Sequence, residues 1–136
     1  MELNKINSLV ELFFKKYKEK KTQTNQLFLK WLKYENNNFL TWEQVEQNIQ
    51  IISKYLRKNI SIGDRCILLS ENRPEWLTLD IAIMNAGGIT VPLFTTYSEK
   101  DYDYIIKDCK PKLCIVSNNF LFKKIKNFIP SETIVL

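Results

Sequence analysis

The sequence contains no histidine. A histidine base, a Ser-His-Asp triad and a His-ligated metal are therefore excluded within its 136 residues. Any proton transfer would fall to Lys, Tyr, Cys or a carboxylate. Glycine occurs only 3 times, which excludes collagen-like and Gly/Ser-linker classes. Arginine is also scarce, at 3 residues beside 17 lysines. Proteins that read nucleic acid favour Arg for bidentate contacts, so the net charge of +5 is assigned to solvated helix faces and no nucleic-acid partner is expected. The 3 cysteines are an odd number. Cys66 and Cys114 lie inside apolar runs, and the Cys109 to Cys114 spacing fits no common zinc pattern. They read as buried thiols of a reducing compartment. No apolar run approaches the ~20 residues of a membrane span. The segment Met1-Glu2-Leu3-Asn4-Lys5 lacks the apolar core of a secretory signal. A cytoplasmic location follows as an expectation.

What is present is enough apolar material for a core: 45% hydrophobic and 26% charged residues, the ordinary range of a folded domain. The whole of 1–136 is taken as one domain, because no linker or repeat interrupts it. Ser8 caps an expected helix to about Lys20, with Leu9, Val10, Phe13, Phe14 and Tyr17 as its apolar stripe. The lysines at 15, 16, 18, 20 and 21 oppose that stripe. Such a basic helix packs on the domain's own core or lies peripherally on an anionic membrane. Gln26 to Tyr34 reads as a strand, with Leu27, Leu29 and Trp31 on one face. Glu35 to Asn38 reads as a turn and Phe39-Leu40 as the start of a return strand. Thr41 and Gln44 are spaced as a capping box for a helix to about Lys58-Asn59, whose buried face is Val45, Ile49, Ile52 and Leu56.

From Arg65 onward the pattern alternates. Arg65 to Ser70 is a near-continuous apolar strand, the mark of a parallel strand covered on both faces. Pro74 opens an apolar helix that Gly87-Gly88 stops. Ile89 to Phe94 is a strand, with Pro92 suited to an edge or an end. Ser98 caps a helix through Asp108, and Lys112 to Ser117 is a strand. Asn118 or Asn119 opens a helix to about Phe128, and Thr133 to Leu136 begins another strand. The expected fold class is α/β: a parallel-type sheet with helices on both faces, preceded by an N-terminal helix and a β-hairpin. The strand-to-helix turns Ser70 to Pro74 and Thr95 to Ser98 contain no glycine, so the usual phosphate-binding turn is missing. Glu71, Asp80, Asp101, Asp103 and Asp108 show no pairing from spacing, and Tyr97, Tyr102 and Tyr104 read as packing or surface residues.

Three blocks, in order, carry a resemblance. Leu40-Thr41-Trp42-Glu43-Gln44-Val45 is similar to an early element of AMP-forming acyl-CoA synthetases, the adenylate-forming superfamily. Gly63-Asp64-Arg65-Cys66-Ile67-Leu68-Leu69-Ser70-Glu71-Asn72-Arg73-Pro74-Glu75-Trp76 resembles a block of its long-chain fatty acid–CoA ligase branch. Ala82 to Leu93, with Ala86-Gly87 and Val91-Pro92-Leu93, resembles a third, and Thr95-Thr96-Tyr97-Ser98 the polar turn that follows it. Cys66 and Asn85 depart from the commoner residues.

The resemblance implies a partial N-terminal subdomain of an enzyme that joins a fatty acid to CoA through an acyl-adenylate, using ATP and Mg2+. The family's phosphate loop, ribose-binding acid, magnesium-binding glutamate and catalytic lysine have no counterpart on these residues. Catalytic, cofactor-binding and metal-binding residues are therefore all expected to be none. The chain reads as an N-terminal fragment, inactive alone and binding no cofactor itself, with the missing remainder of the enzyme as a candidate partner chain. The alternative is a non-catalytic α/β module that contacts a partner or an anionic membrane through its basic first helix.

Overall fold

The computed structural model describes residues 6–22, 26–33 and 36–136. Helix α1 spans Leu9–Lys20, with the Ser8 hydroxyl accepting from the Glu11 amide at its start. Strands β1 (Leu27–Lys33) and β2 (Asn36–Thr41) form an antiparallel hairpin. Helix α2 follows at Trp42–Leu56. The Thr41–Gln44 capping box is closed in both directions: the Gln44 amide donates to Thr41 Oγ1 at 3.2 Å and the Thr41 amide to Gln44 Oε1 at 2.9 Å. Then come β3 (Arg65–Leu69), α3 (Pro74–Asn85), β4 (Ile89–Leu93), α4 (Glu99–Cys109), β5 (Leu113–Val116), α5 (Asn119–Ile125) and β6 (Ile134–Val135).

The second sheet is parallel, in the order β4-β3-β5-β6. The chain steps from β3 to β4, then reverses direction and crosses β3 to reach β5. Crossovers keep one hand, so reversing direction also changes the face on which the helix lies. The packing follows this rule. Ile67 and Leu69 of β3 meet Tyr102 and Ile106 of α4 and Leu121 and Ile125 of α5. Cys66 of β3 meets Leu56 of α2, Ile83 of α3 and Ala86 just past the end of α3 on the opposite face. Strand β3 is thus covered on both sides, and Cys66, Ile67, Leu68 and Leu69 are all fully buried. Burial of each of its three aliphatic side chains stabilises the fold by about 1.5–3 kcal/mol.

A third apolar cluster joins α1, the hairpin, α2 and α3. Phe13 is its hub, with ring centroids of Phe14, Phe28 and Trp42 at 5.4, 5.6 and 5.6 Å. Phe13, Phe14 and Tyr17 of the α1 stripe are therefore engaged in intramolecular packing, while its first residue Leu9 is about half exposed. Lys15, Lys18 and Lys21 face solvent.

Two details of the hairpin correct the sequence expectation. Leu27 does not share the inner face with Leu29. A register shift between them turns Phe28 inward, where its ring lies 4.0 Å from that of Trp42, and leaves Leu27 exposed. Such a bulge places consecutive residues on one side, which period-two alternation cannot anticipate. The return strand also begins at Asn36 rather than Phe39, with Asn36 to Asn38 paired against Lys33 to Trp31. Backbone pairing extends a ladder through residues of low strand preference. Tyr34 and Glu35 of the expected strand and turn lie outside the described residues.

Other signals hold as expected. Pro74 is the first residue of α3. Pro92 lies on β4, which pairs on one side only. Gly87 takes a left-handed φ of 91° and Gly88 donates to the Ile83 carbonyl, closing α3. A Cβ on Gly88 would stand 3.0 Å from Ile83 Cγ2 and 3.2 Å from Cys66 Sγ, so a side chain there would force its neighbours to shift, whereas at Gly87 it is the backbone conformation that favours glycine. Asn85, one of the departures from the resembled block, has its own partners. Its Nδ2 donates to Ser53 Oγ at 3.0 Å, and its carbonyl accepts from Arg57 at 2.8 Å. Ser53 Oγ in turn donates to the Ala82 carbonyl, linking α2 to α3 in the core.

The end of α4 rests on two unusual groups. Lys110 is left-handed at φ 46°, and it is the non-glycine residue with positive φ among the described residues. Arg65, at the start of β3, donates from Nε to the Cys109 carbonyl at 2.7 Å and from Nη1 to the Gly63 carbonyl at 3.1 Å. A cation on the terminal carbonyls suits the negative end of a helix. Lys110→Gly removes the Cβ penalty, offset by greater freedom of the unfolded chain, and should raise stability by about 0.5 kcal/mol. Arg65→Ala should lower it by about 2 kcal/mol through the lost charged hydrogen bonds. Urea unfolding of both variants checks the opposite signs.

Candidate functional site

The change of face at β3 fixes where a site can form. Helix α3 leaves β3 on one face, while α4 and α5 leave the flanking β4 and β5 on the other. The loops therefore diverge at the carboxyl ends of these three strands, the place where open α/β sheets hold ligands. A cleft of about 340 Å³ lies there, between the ends of β3 and β4. That volume is at the small end of ligand pockets. Its β3 wall is Ser70, Glu71 and Asn72, its β4 wall is Pro92 to Thr96, and Trp76 of α3 lines it. Trp76 is partly buried, and Phe94 is 68% exposed and meets the Tyr97 ring edge-on at 5.3 Å. The Tyr97 ring continues to that of Tyr102, which is buried and donates its hydroxyl to the Phe94 carbonyl at 2.8 Å. Burial raises the Tyr102 phenol above its ordinary pKa, so it is a neutral brace under the loop.

Glu71 has partners that lie far away in sequence. Its Oε2 accepts from Ser117 Oγ at 2.6 Å and its Oε1 from Asn118 Nδ2 at 2.8 Å. Asn118 is also the cap of α5, its Oδ1 accepting from the Leu121 amide at 2.9 Å. One carboxylate thereby ties the loop after β3 to the loop after β5. The Ser117 hydroxyl above all, then Glu71's own amide and Asn118, hold the carboxyl below the usual glutamate range. On the other wall, Lys124 of α5 donates from Nζ to the Thr95 carbonyl at 2.9 Å, with Nζ 5.2 Å from the centre of the Phe120 ring.

The chemistry of this cleft is that of a recognition surface. Aromatic walls suit a flat or apolar group, and the Asn72 and Thr96 side chains can reach polar atoms. Its fixed negative charge, Glu71, opposes a phosphate. Arg73 is ion-paired to Glu75 at 3.3 Å. Among the described residues no group of three His, Cys, Asp or Glu could hold a metal ion. The cysteines offer no nucleophile there. Burial pushes the Cys66 thiol up to about 11 and that of Cys114 up to about 12, and all three are free. The sequence placed the loops correctly and noted their lack of glycine. It missed the role of Glu71, because a contact across 46 residues leaves no local signature.

Glu71→Gln should lower stability by about 1 kcal/mol at neutral pH, since Ser117 and Asn118 meet different carboxylate oxygens and glutamine puts an NH2 donor in place of one of them. The folded carboxyl has the lower pKa, so its stabilisation is complete above the unfolded value of about 4.3 and is lost as pH falls through the folded value. Wild type should therefore lose more stability than Glu71→Gln as pH drops from about 5 toward 3. Unfolding curves across that window check the difference.

Residues 16–135 match the AMP-binding enzyme family. Over 86 residues the chain is 33% identical to 4-hydroxybutyrate–CoA ligase 2 of Metallosphaera sedula, covering 62% of this chain and 16% of that protein. Over 49 residues it is 37% identical to long-chain-fatty-acid–CoA ligase FadD15 of Mycobacterium bovis, covering 36% of this chain and 8% of that protein. The chain thus spans a small part of the length of the curated relatives it matches. In fold, it resembles the crystal structure of a fatty acyl-adenylate ligase from L. pneumophila in complex with acyl adenylate and pyrophosphate, with a TM-score of 0.77. That likeness covers 98% of this chain and 23% of the ligase at 20% identity. The hairpin, the parallel sheet and its helices have the architecture of the N-terminal subdomain of adenylate-forming enzymes, and with the family match over nearly its whole length, the chain belongs to the AMP-binding, acyl-CoA synthetase family.

Proposed function

We propose that this chain is the N-terminal part of an ATP-dependent, AMP-forming fatty acid–CoA ligase of the long-chain type, and that alone it makes no acyl-adenylate. The family match over residues 16–135 carries the first half. The long-chain assignment draws on the block from Gly63 to Trp76 and on the identity to the M. bovis long-chain ligase. The second half draws on the side chains themselves. The described residues do not fit a triphosphate with Mg2+. The cleft carboxylate is already bonded at both oxygens, no metal-holding group is present among the described residues, and no glycine lies in the turns after β3 and β4. No catalytic step is assigned to these residues.

The work of this segment is scaffolding. It presents a braced edge and an aromatic-walled cleft, and further polypeptide, covalently continuous or supplied as a second chain, holds ATP, Mg2+ and CoA. The purified chain, given ATP, Mg2+, palmitate and CoA, should release no pyrophosphate above a protein-free blank. Sustained release would refute the inactive-fragment reading. Addition of the remaining enzyme should restore turnover with palmitate ahead of butyrate, and a preference for butyrate would remove the long-chain assignment.

A further inference from the structure

The two walls of the cleft are gripped by one short helix. At its start, α5 is capped by Asn118, whose Nδ2 also donates to Glu71 on the β3 wall at 2.8 Å. In its last turn, Lys124 donates to the Thr95 carbonyl on the β4 wall at 2.9 Å. The inner face of α5 is anchored, with Leu121 2% exposed and Ile125 fully buried in the same core as Leu69 and Leu93, the final residues of β3 and β4. Its outer face carries Phe120, 69% exposed. The strut from Lys124 is partly buried and spans 29 residues of sequence. The strut from Glu71 uses both carboxylate oxygens and spans up to 47. The Glu71 strut is solvent-exposed and rests on two bonds to one carboxylate rather than on burial. Each ends on a group fixed by other bonds: Thr95 adjoins Phe94, whose carbonyl holds Tyr102, and Asn118 holds the α5 amides.

We propose that Glu71 and Lys124 are positioning residues, which act through α5 to set the width of the cleft between β3 and β4. Neither touches reacting atoms. Glu71 fixes the height of Ser70 to Asn72 relative to the α5 cap, and Lys124 draws the Thr95–Thr96 backbone toward the end of the same helix. Because α5 is a short helix of about two turns held between two anchors, loss of either strut releases both walls. The proposal rests on the proposed function only where a substrate is concerned, because the bracing itself needs no ligand.

Hydrogen exchange read by mass spectrometry on the full chain tests the bracing. Lys124→Met should speed exchange severalfold in the segment 94–98 and also in 117–121, at the far strut. Glu71→Gln should speed exchange in 117–121 and also in 94–98. Lys124→Arg, which keeps a cationic donor, should restore the slow exchange. Faster exchange confined to each strut's own loop would overturn the proposal, as would failure of Lys124→Arg to rescue where Lys124→Met has an effect. Ser117→Ala, which removes a single bond to Glu71, gives the same far-side readout should Glu71→Gln fail to fold. When the chain is joined to the remaining enzyme in an active assembly, Lys124→Met should raise KM for one substrate and leave kcat unchanged. Unaltered KM for every substrate would overturn the positioning role. Absence of any activity in the wild-type assembly would count against the proposed function while the exchange result stands.

Discussion

Every element from Arg65 onward depends on the double burial of β3. Four consecutive side chains point alternately to two cores, and none of the four is exposed. A strand in this position needs neighbours on both edges and helices on both faces. The chain meets that need by moving to β4, turning back across β3 to β5, and continuing to β6. The reversal separates α3 from α4 and α5, and that separation opens the cleft. The place of the candidate site is thus a consequence of hydrophobic burial and crossover handedness, before any polar residue is considered.

Polar residues then refine what burial has placed. Around the carboxyl edge of the sheet, Glu71, Ser117, Asn118, Lys124 and Tyr102 all send side-chain bonds to groups on other loops. At the opposite edge, Arg65 links the start of β3 to the end of α4. These bonds tie the loops of the segment to one another. Of the L. pneumophila ligase, which shares this architecture, the matched portion is 23%.

Much of this was legible in the residues, because its causes are local. Thr41 with Gln44, Pro74, Gly87 and Ser98 each act within a turn of the chain, and each stands at the boundary its chemistry implies. The apolar run at β3 announces two-sided burial without reference to any partner. The bulge that turns Phe28 inward was not legible, since alternation places Leu27 and Leu29 together. The early start of β2 at Asn36 was not legible either, because asparagines suit turns and only pairing with β1 recruits them into a strand. The Glu71 bridge is the clearest case. Its two partners lie 46 and 47 residues away, and spacing along a sequence says nothing about a meeting brought about by two crossovers.

The contact between Ser53 and Asn85 bears on how this gene can drift. Ser53 is sealed in the α2–α3 interface and gives its proton to the Ala82 carbonyl, while the Asn85 amide fills the lone pair that remains. Replacing Asn85 by an aliphatic residue would remove the donor to the buried Ser53 hydroxyl, and replacing Ser53 by alanine would leave the half-buried amide without this acceptor. Loss of either partner removes a bond that the other still presents, so substitutions at the two positions are coupled in their effect on stability. The asparagine that departs from the resembled block is, in three dimensions, half of a matched exchange between two helices.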